Sequence, residues 1–177
     1  MDTISVMISS ITGNTQKIAD AVLKELENNL DSSIKVDIFH NKEFLTVSSL
    51  SDYILLFFWC RKSTLDDYSQ ALIEQCKGKK ILALGTMGGN PDGTYGERVR
   101  KNVEMFIEKN NVCCGVYLSQ GKIPEKRTKY RMNLPKDHPH YLDEEGVKRH
   151  EQSRSHPDKK DLENAVDFFR KHFQVGR

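Results

Sequence analysis

The segment that decides the fold is ISVMISSITGNTQKI, which runs from Ile4 to Ile18. It begins with an apolar run, residues 4–8, typical of a buried strand, and it ends where apolar residues take up a helical spacing. Small hydroxyl, amide and glycine residues lie between these two parts, which predicts a strand-to-helix turn. Backbone N–H groups converge at such a helix start, and the helix dipole favours negative charge there. The turn is therefore a candidate anion site.

The turn offers hydrogen-bond donors but no cation. Neutral donors are present at five positions, Ser9, Ser10, Thr12, Asn14 and Thr15, with no Lys or Arg among them. A phosphate could thus be held by hydrogen bonds alone. The absence of a Lys distinguishes this turn from the phosphate-binding loop of nucleoside triphosphatases. The spacing of its glycines distinguishes it from dinucleotide-binding turns. An ordinary polar cap, made by Thr12 or Asn14, is the structural alternative.

The rest of the chain alternates between strand and helix patterns. Strands are predicted at about 3–8, 34–39, 53–58, 81–84 and 112–118. Helices are predicted at about 14–29, 63–76, 95–109 and 158–173. Ser63 and Asp66 fit a capping box at the start of the second helix. Five strands alternating with helices predict an α/β fold, in which a doubly wound parallel sheet carries helices on both faces.

The turn resembles the phosphate-binding loop of flavodoxins. Ser10-Ile11-Thr12-Gly13-Asn14-Thr15 follows that family's pattern of Ser or Thr, any residue, Thr, Gly, any residue and Thr. The resemblance implies a flavodoxin-like sheet of order 2-1-3-4-5 in a single domain over residues 1–177. It also implies FMN as the cofactor, with residues 9–15 at its phosphate. We expect Thr12, Asn14 and Thr15 to donate to that phosphate.

A second candidate loop follows the third predicted strand. Ligands in this fold bind beyond the carboxyl ends of the strands, near the switch point of the sheet. Trp59, the only tryptophan, comes at that place and offers a stacking surface, although it could also pack beneath a loop. The resemblance implies that Trp59 stacks on the flavin ring. It also places Cys60, Arg61 and Lys62 beside the ring, unless the two basic side chains point to solvent.

A third candidate loop follows the fourth predicted strand. It carries glycines, and backbone can approach a ligand closely there, although a plain turn is the alternative. The resemblance implies main-chain contacts to the flavin over this loop, from Thr86, Met87, Gly88, Gly89 and Asn90. Either Tyr95 or Met87 would cover the second face of the ring.

Residues 122–157 form an insertion before the last helix. The insertion is charged and contains several prolines, so we expect it to be irregular apart from a short helix near 144–153. A segment of this length is either functional or mobile. We expect it to cover or border the flavin site, with a solvated excursion as the alternative. His138, His140, His150 and His156 show no helical metal-binding spacing, so no metal site is predicted.

The composition of the chain argues against some classes of protein and of partner. Charged residues make up 29% of the chain, and the formal net charge is +2. The near-neutral charge argues against nucleic acid as a main partner. The sequence has no apolar run of about 20 residues, so we expect no membrane association and a cytoplasmic location. The four cysteines show neither metal-finger nor Cys-x-x-Cys spacing.

The expected function follows from the resemblance. FMN would do the redox chemistry, while the protein binds, orients and tunes it. No acid, base or nucleophile constellation stands out, so no catalytic residue is predicted. We expect an electron carrier that serves redox partner proteins, a reductase and an acceptor that the sequence does not identify. Two alternatives stay open: an NAD(P)H-dependent flavin or quinone reductase on the same fold, and a binding module that has lost the flavin.

Overall fold

The structure, a computed structural model, describes residues 3–29, 34–40 and 50–173. These residues are organised around one parallel sheet with the strands β1 (Thr3–Ile8), β2 (Lys35–His40), β3 (Tyr53–Trp59), β4 (Lys80–Met87) and β5 (Val112–Gln120). The order across the sheet is β2-β1-β3-β4-β5, and all four neighbouring pairs are parallel. The predicted α/β fold and strand order 2-1-3-4-5 are confirmed.

Helices connect and cover the strands. They are α1 (Asn14–Asn29), α2 (Asp67–Gln75), α3 (Thr94–Ile107), α4 (Glu125–Met132), α5 (Glu144–Gln152) and α6 (Lys159–His172), with a short 3-10 turn at Ser153–Ser155. Within the described residues, no helix combines the length and the apolar character that crossing a bilayer requires.

The core lies on both faces of the sheet. Leu56 and Phe58 of β3 pack on one face with residues of α2 and α3, whereas Leu55 and Phe57 pack on the other face with residues of α1 and α6. All four side chains are buried. Successive residues of a strand point to opposite faces, so a strand covered on both sides is apolar at every position. This explains the continuous apolar run at 53–58.

β3 and β4, the strands that lead into the second and third candidate loops, extend further than the sequence indicates. Trp59 is the last residue of β3, where it is in register with Thr86 of β4. β4 continues through Gly85 to Met87, so the glycine does not end the strand. A Cβ atom at Gly85 would lie 2.3 Å from the ring of Phe58. Gly85 therefore serves close packing, and the loop after β4 begins only at residue 88.

The predicted capping box at Ser63 and Asp66 is wrong. Asp66 is itself the N-cap of α2, and its side chain accepts a hydrogen bond from the backbone N–H of Ser69. Ser63 belongs instead to a tight turn, closed by hydrogen bonds in both directions between the backbones of Arg61 and Thr64. Since that turn places Ser63 at a φ of 64°, the helix begins only after it.

The insertion 122–157 is more regular than expected. The helix α5 lies at 144–152, close to its expected position, but α4 at 125–132 is a helix that the sequence pattern did not indicate. α4 has the sequence EKRTKYRM, which lacks the apolar periodicity of a core helix. It is stabilised in part by an ion pair of Glu125 with Lys129, one turn along the helix.

Candidate ligand site at the carboxyl edge of the sheet

A cavity of about 300 Å³ opens beyond the carboxyl ends of the central strands. Four segments of the chain contribute to its wall: the turn before α1, the end of β3, the end of β4, and the residues that follow β5. The wall consists of Ile11, Thr12, Asn14, Trp59, Cys60, Thr86, Met87, Gly88, Gly121, Lys122, Ile123, Pro124 and Arg127. This size and position are typical of a small-molecule site in a doubly wound sheet.

The turn at 9–13 presents the start of α1 to the cavity. Gly13 has a φ of 82°, in the region that favours glycine, and α1 begins at the next residue. The first N–H groups of a helix have no intrahelical partners, so those of Asn14 and Thr15, at the very start of α1, remain available to an anion. Ile11 and Thr12 also line the cavity, and Ile11 is 69% exposed.

Two of the expected phosphate donors already have acceptors within the protein. The side-chain amide of Asn14 donates to Thr12 Oγ1 and to the carbonyl oxygen of Lys122, both at 3.0 Å. Thr15 is 1% exposed, and its hydroxyl lies 2.8 Å from Thr86 Oγ1 and 3.3 Å from the carbonyl oxygen of Phe58. In this arrangement the side chains of Asn14 and Thr15 connect loops within the protein. Of the three side chains expected to donate to the phosphate, only Thr12 has a donor hydrogen without an acceptor among the described residues.

Ser9 and Ser10 also face the protein. Ser10 Oγ accepts from the backbone N–H of Gln16 at 3.3 Å, inside the first turn of α1. Ser9 is buried, and its hydroxyl donates to Asp66 Oδ1 at 2.8 Å. Both serines therefore shape the turn from within.

Asp66 links the ligand loops beneath the cavity. Its side chain is almost fully buried, at 1% exposure of the residue. Oδ1 accepts from Ser9 Oγ (2.8 Å) and Ser69 N (3.2 Å), while Oδ2 accepts from Ser69 Oγ (2.8 Å) and Trp59 N (3.3 Å). Four donors at two oxygens match the acceptor capacity of a carboxylate. Asp66 thus fixes the backbone of Trp59 relative to the turn before α1.

Only some residues at the end of β3 and in the loop after it line the cavity. Trp59 and Cys60 line it, and burial raises the pKa of the Cys60 thiol. Arg61 lies outside the wall, where its guanidinium pairs with the carboxylate of Asp67. Lys62 lies at a φ of 49° in the tight turn and also outside the wall. Neither Arg61 nor Lys62 belongs to the cavity wall, and their place beside the ring stays a prediction.

The loop after β4 contributes Met87 and Gly88, together with Thr86 at the end of the strand. Gly89, Asn90 and Tyr95 lie outside the wall. The Tyr95 hydroxyl accepts from Ser63 Oγ at 3.3 Å, and the guanidinium of Arg98 lies 5.0 Å from the centre of its ring. Met87 and Tyr95 were the two residues expected to cover the second face of the flavin ring. Of these, the buried Met87 lines the cavity and Tyr95 does not.

The insertion supplies a fourth side of the cavity. Lys122, Ile123, Pro124 and Arg127 all line it, which places the start of the 122–157 segment in the ligand site. The sequence analysis named none of these four as a site residue. A basic stretch directly after the fifth strand was the available signal, because the end of that strand lies at the same edge of the sheet.

One group of possible metal ligands lies elsewhere. Ligand atoms of His156, Asp158 and Asp161 come within 4.8 Å of one another. These atoms already have roles in the protein, since Asp158 and Asp161 form the capping box of α6 and His156 Nδ1 lies 2.5 Å from Asp161 Oδ2. The arrangement is a helix start stabilised by side chains.

Comparisons with known proteins bear on the family to which the chain is related. A family model described as a flavodoxin domain matches residues 5–170. The flavodoxin-like domain-containing protein BilS of Clostridioides difficile (strain CD3) is 34% identical over 166 residues, which cover 92% of each chain.

Solved structures share the fold at low identity. Oxidised Flavodoxin 1 from Bacillus cereus has a TM-score of 0.55 and 16% identity, over 98% of this chain and 100% of its own. An azoreductase from Bacillus anthracis str. Sterne has a TM-score of 0.59 and 14% identity, over 97% and 100% of the two chains. The fold is therefore common to flavodoxins and azoreductases alike.

Proposed function

The chain belongs to the flavodoxin domain family of FMN-binding proteins, and from that premise we propose that it is an electron carrier. FMN supplies the redox chemistry, because it takes up and delivers electrons. One observation carries the proposal. A single cavity brings together the start of α1, Trp59 and the end of β4, at the edge where this fold binds its ligands.

The residues present fit the cofactor. The phosphate suits the start of α1, where Gly13 allows the turn and unpaired backbone N–H groups face an anion. The flavin ring suits the aromatic surface of Trp59 at the end of β3. Met87 and Ile123 supply apolar surface in the same wall.

The chain's own residues would bind, orient and shield this group. Trp59 is held by its backbone hydrogen bond to Asp66, so its position is fixed before a ligand arrives. A site whose residues are already in place loses less conformational entropy on binding. Met87 and Ile123 exclude water from one side of the cavity, which strengthens electrostatic interactions with a charged ligand.

Cofactor binding is tested by titrating the flavin-free protein with FMN while recording flavin fluorescence and visible absorbance. We expect saturation at one FMN per chain, with quenching of the flavin by Trp59. The variant Trp59→Leu keeps an apolar side chain, and it should bind FMN more weakly and quench it less. A wild-type protein that leaves the flavin spectrum unchanged would contradict the proposal.

An NAD(P)H-dependent flavin or quinone reductase is the alternative on the same fold. The likeness to azoreductases concerns the fold and does not favour their activity here. Mixing the FMN-loaded protein with NADPH and a quinone, without any added reductase, separates the two functions. A carrier oxidises NADPH no faster than an equal concentration of free FMN does. Multiple turnovers above that background would identify a reductase.

The partners are proposed to be redox proteins with acidic contact surfaces. α4 carries four basic residues against Glu125: Lys126, Arg127, Lys129 and Arg131. It also exposes Tyr130, and its residue Arg127 lines the cavity. A positive surface beside the redox site attracts a negatively charged partner and speeds association at low salt.

The charge of the partner surface is tested with small oxidants of opposite sign. Ferricyanide should reoxidise the photoreduced protein faster at low salt than at high salt, and tris(phenanthroline)cobalt(III) should show the reverse. Lys126→Glu should slow ferricyanide severalfold. Lys109→Glu makes the same charge change at the opposite edge of the sheet and serves as the control. Equal effects of the two variants would contradict a role for α4.

A further inference from the structure

We propose that Lys122 and Arg127 form a cationic wall that binds the phosphate of FMN. This inference rests on the proposed function, since it concerns the same cavity. The turn at 9–15 contains neither Lys nor Arg, and the phosphate loop that it resembles is likewise built on neutral donors. In this chain the insertion brings two cations to that site from about 110 residues further along the sequence.

Lys122 is held against the first residue of α1. Its carbonyl oxygen accepts from Asn14 Nδ2 at 3.0 Å, and its N–H donates to the carbonyl oxygen of His156 at 2.9 Å. The preceding Gly121 is packed so closely that a Cβ atom there would lie 2.8 Å from Asn14 Nδ2. The backbone of Lys122 is thus fixed at the helix start that suits the phosphate, and the residue lines the cavity.

Arg127 is placed by the packing of α4. The next residue, Thr128, is buried, and its hydroxyl lies 3.0 Å from Nδ1 of the buried His150 on α5. This contact sets the rotation of α4 about its axis. The cavity wall includes Arg127 together with Thr12 and Asn14, so Arg127 and the turn before α1 border the same space.

In the described part of the chain, neither Lys122 nor Arg127 pairs with a carboxylate. Among the residues that the structure describes, the ion pairs use other basic side chains, such as Lys129 of α4 with Glu125. Neither Lys122 nor Arg127 has an acidic oxygen within 4.0 Å in that part of the chain.

The chemistry of the pair favours a phosphate. A guanidinium binds phosphate oxygens through two parallel hydrogen bonds, and an ammonium adds a point charge. A dianionic phosphate at a helix N-terminus would be stabilised by both the guanidinium and the ammonium, in addition to the helix dipole. Riboflavin has the same ring and ribityl chain without the phosphate, so the two cations should discriminate FMN from riboflavin.

The experiment measures dissociation constants of FMN and riboflavin for the wild type and for Arg127→Gln, Lys122→Gln and the double variant. Each single substitution should weaken FMN about tenfold and leave riboflavin within about twofold. Arg127→Lys should fall between the wild type and Arg127→Gln, because it keeps the charge without the paired geometry. Lys109→Gln, which follows α3 and lies outside the cavity wall, should leave both constants unchanged.

Salt dependence supplies an independent readout. Raising the ionic strength should weaken FMN binding to the wild type more than to the double variant, because screening acts on charged pairs. Unchanged FMN affinity in the double variant, or equal losses for FMN and riboflavin, would overturn the inference while the proposed function stands. A wild type that binds neither flavin would overturn the proposed function itself and this inference with it.

Discussion

The side-chain amide of Asn14 donates a hydrogen bond to the carbonyl oxygen of Lys122, across 3.0 Å. The bond joins the first residue of α1 to the start of the insertion, 108 residues later in the chain. A second bond from the same amide reaches Thr12 Oγ1 in the turn. Asn14 therefore couples the proposed phosphate site to the segment that covers its other side.

Asn14→Ala should loosen this coupling. Loss of two hydrogen bonds should weaken FMN binding by about 1–2 kcal/mol. It should also speed trypsin cleavage within α4, which contains four basic residues. FMN should protect α4 from cleavage in the wild type and protect it less in the variant. Gln16→Ala, whose side chain contacts Asp20 on the solvent side of α1, is the control. Identical cleavage rates in all conditions would show that the insertion does not respond to the cofactor.

Asp66→Asn should destabilise the ligand loops. The amide NH₂ group would face donors that now bind Oδ1 or Oδ2, leaving at least one buried donor without an acceptor. We expect a loss of about 2–3 kcal/mol in the free energy of unfolding. Urea denaturation followed by the fluorescence of Trp59 measures it, and the same signal reports on the site because the chain has only one tryptophan.

Asp67→Asn is the matched control for Asp66→Asn. It removes the neighbouring carboxylate, which is 71% exposed and paired with Arg61. An exposed pair contributes about 0–1 kcal/mol, so the stability should change little. Equal effects of the two substitutions would show that the buried hydrogen bonds of Asp66 do not organise the loops.

The charges that tune the flavin potential should be those of the cavity wall. One unit charge about 8 Å from the ring, at an effective dielectric constant of about 20, is worth about 2 kcal/mol before screening. Salt and exposure reduce this by half or more, which leaves a shift on the order of tens of millivolts. Positive charge favours the anionic, fully reduced flavin. Arg127→Glu should therefore lower the potential of the final reduction step.

Arg61→Glu and Lys62→Glu are the comparison, measured by redox titration at saturating FMN and at low and high salt. Because Arg61 pairs with Asp67 and both side chains lie outside the cavity wall, their effects should be smaller than that of Arg127→Glu. A larger shift from Arg61→Glu or Lys62→Glu would place the ring against the turn at 61–64 instead.

The contact of Thr128 with His150 should make the stability of the protein depend on pH. His150 is 6% exposed and faces the hydroxyl of Thr128, and burial followed by the charges of Arg131, Arg127 and Arg149 lowers its pKa. The folded state therefore binds a proton on His150 less readily than the unfolded state does. Neutral His150 makes its full contribution to the free energy of unfolding above the ordinary histidine pKa of about 6.5. This contribution is lost as the pH falls below that value.

His150→Gln tests this dependence, because glutamine does not titrate and still offers Thr128 a hydrogen-bond partner. Urea denaturation at about pH 7.5 and about pH 5.5 should show a larger loss for the wild type than for the variant. The same difference between the two pH values in both proteins would mean that other groups control the acid sensitivity.

The fold was predictable because its pattern is local. The apolar run before the turn, the helical spacing after Asn14 and the continuous apolar strand at 53–58 each follow from backbone periodicity. The strand ends were less predictable, since β4 continues through Gly85 where pairing with both neighbouring strands outweighs the weak preference of glycine for strands.

The side-chain part of the site was predictable only in part. Trp59 and Met87 end strands at the expected edge, Thr12 follows one, and all three line the cavity. The roles of Asp66 and Arg127 depend on contacts between segments far apart in the chain, which periodicity does not encode. α4 in particular is amphipathic only weakly, so nothing in its sequence indicates which of its four basic residues lines the cavity.

The most direct test of the account is electron transfer from the reduced, FMN-loaded protein. The protein is loaded with FMN, freed of unbound flavin, photoreduced without oxygen and mixed with oxidised cytochrome b5, a haem protein with an acidic surface. The account predicts that FMN stays with the protein and that cytochrome b5 is reduced in proportion to the bound flavin. Loss of the flavin during desalting, or bound reduced flavin that leaves cytochrome b5 oxidised, would contradict it.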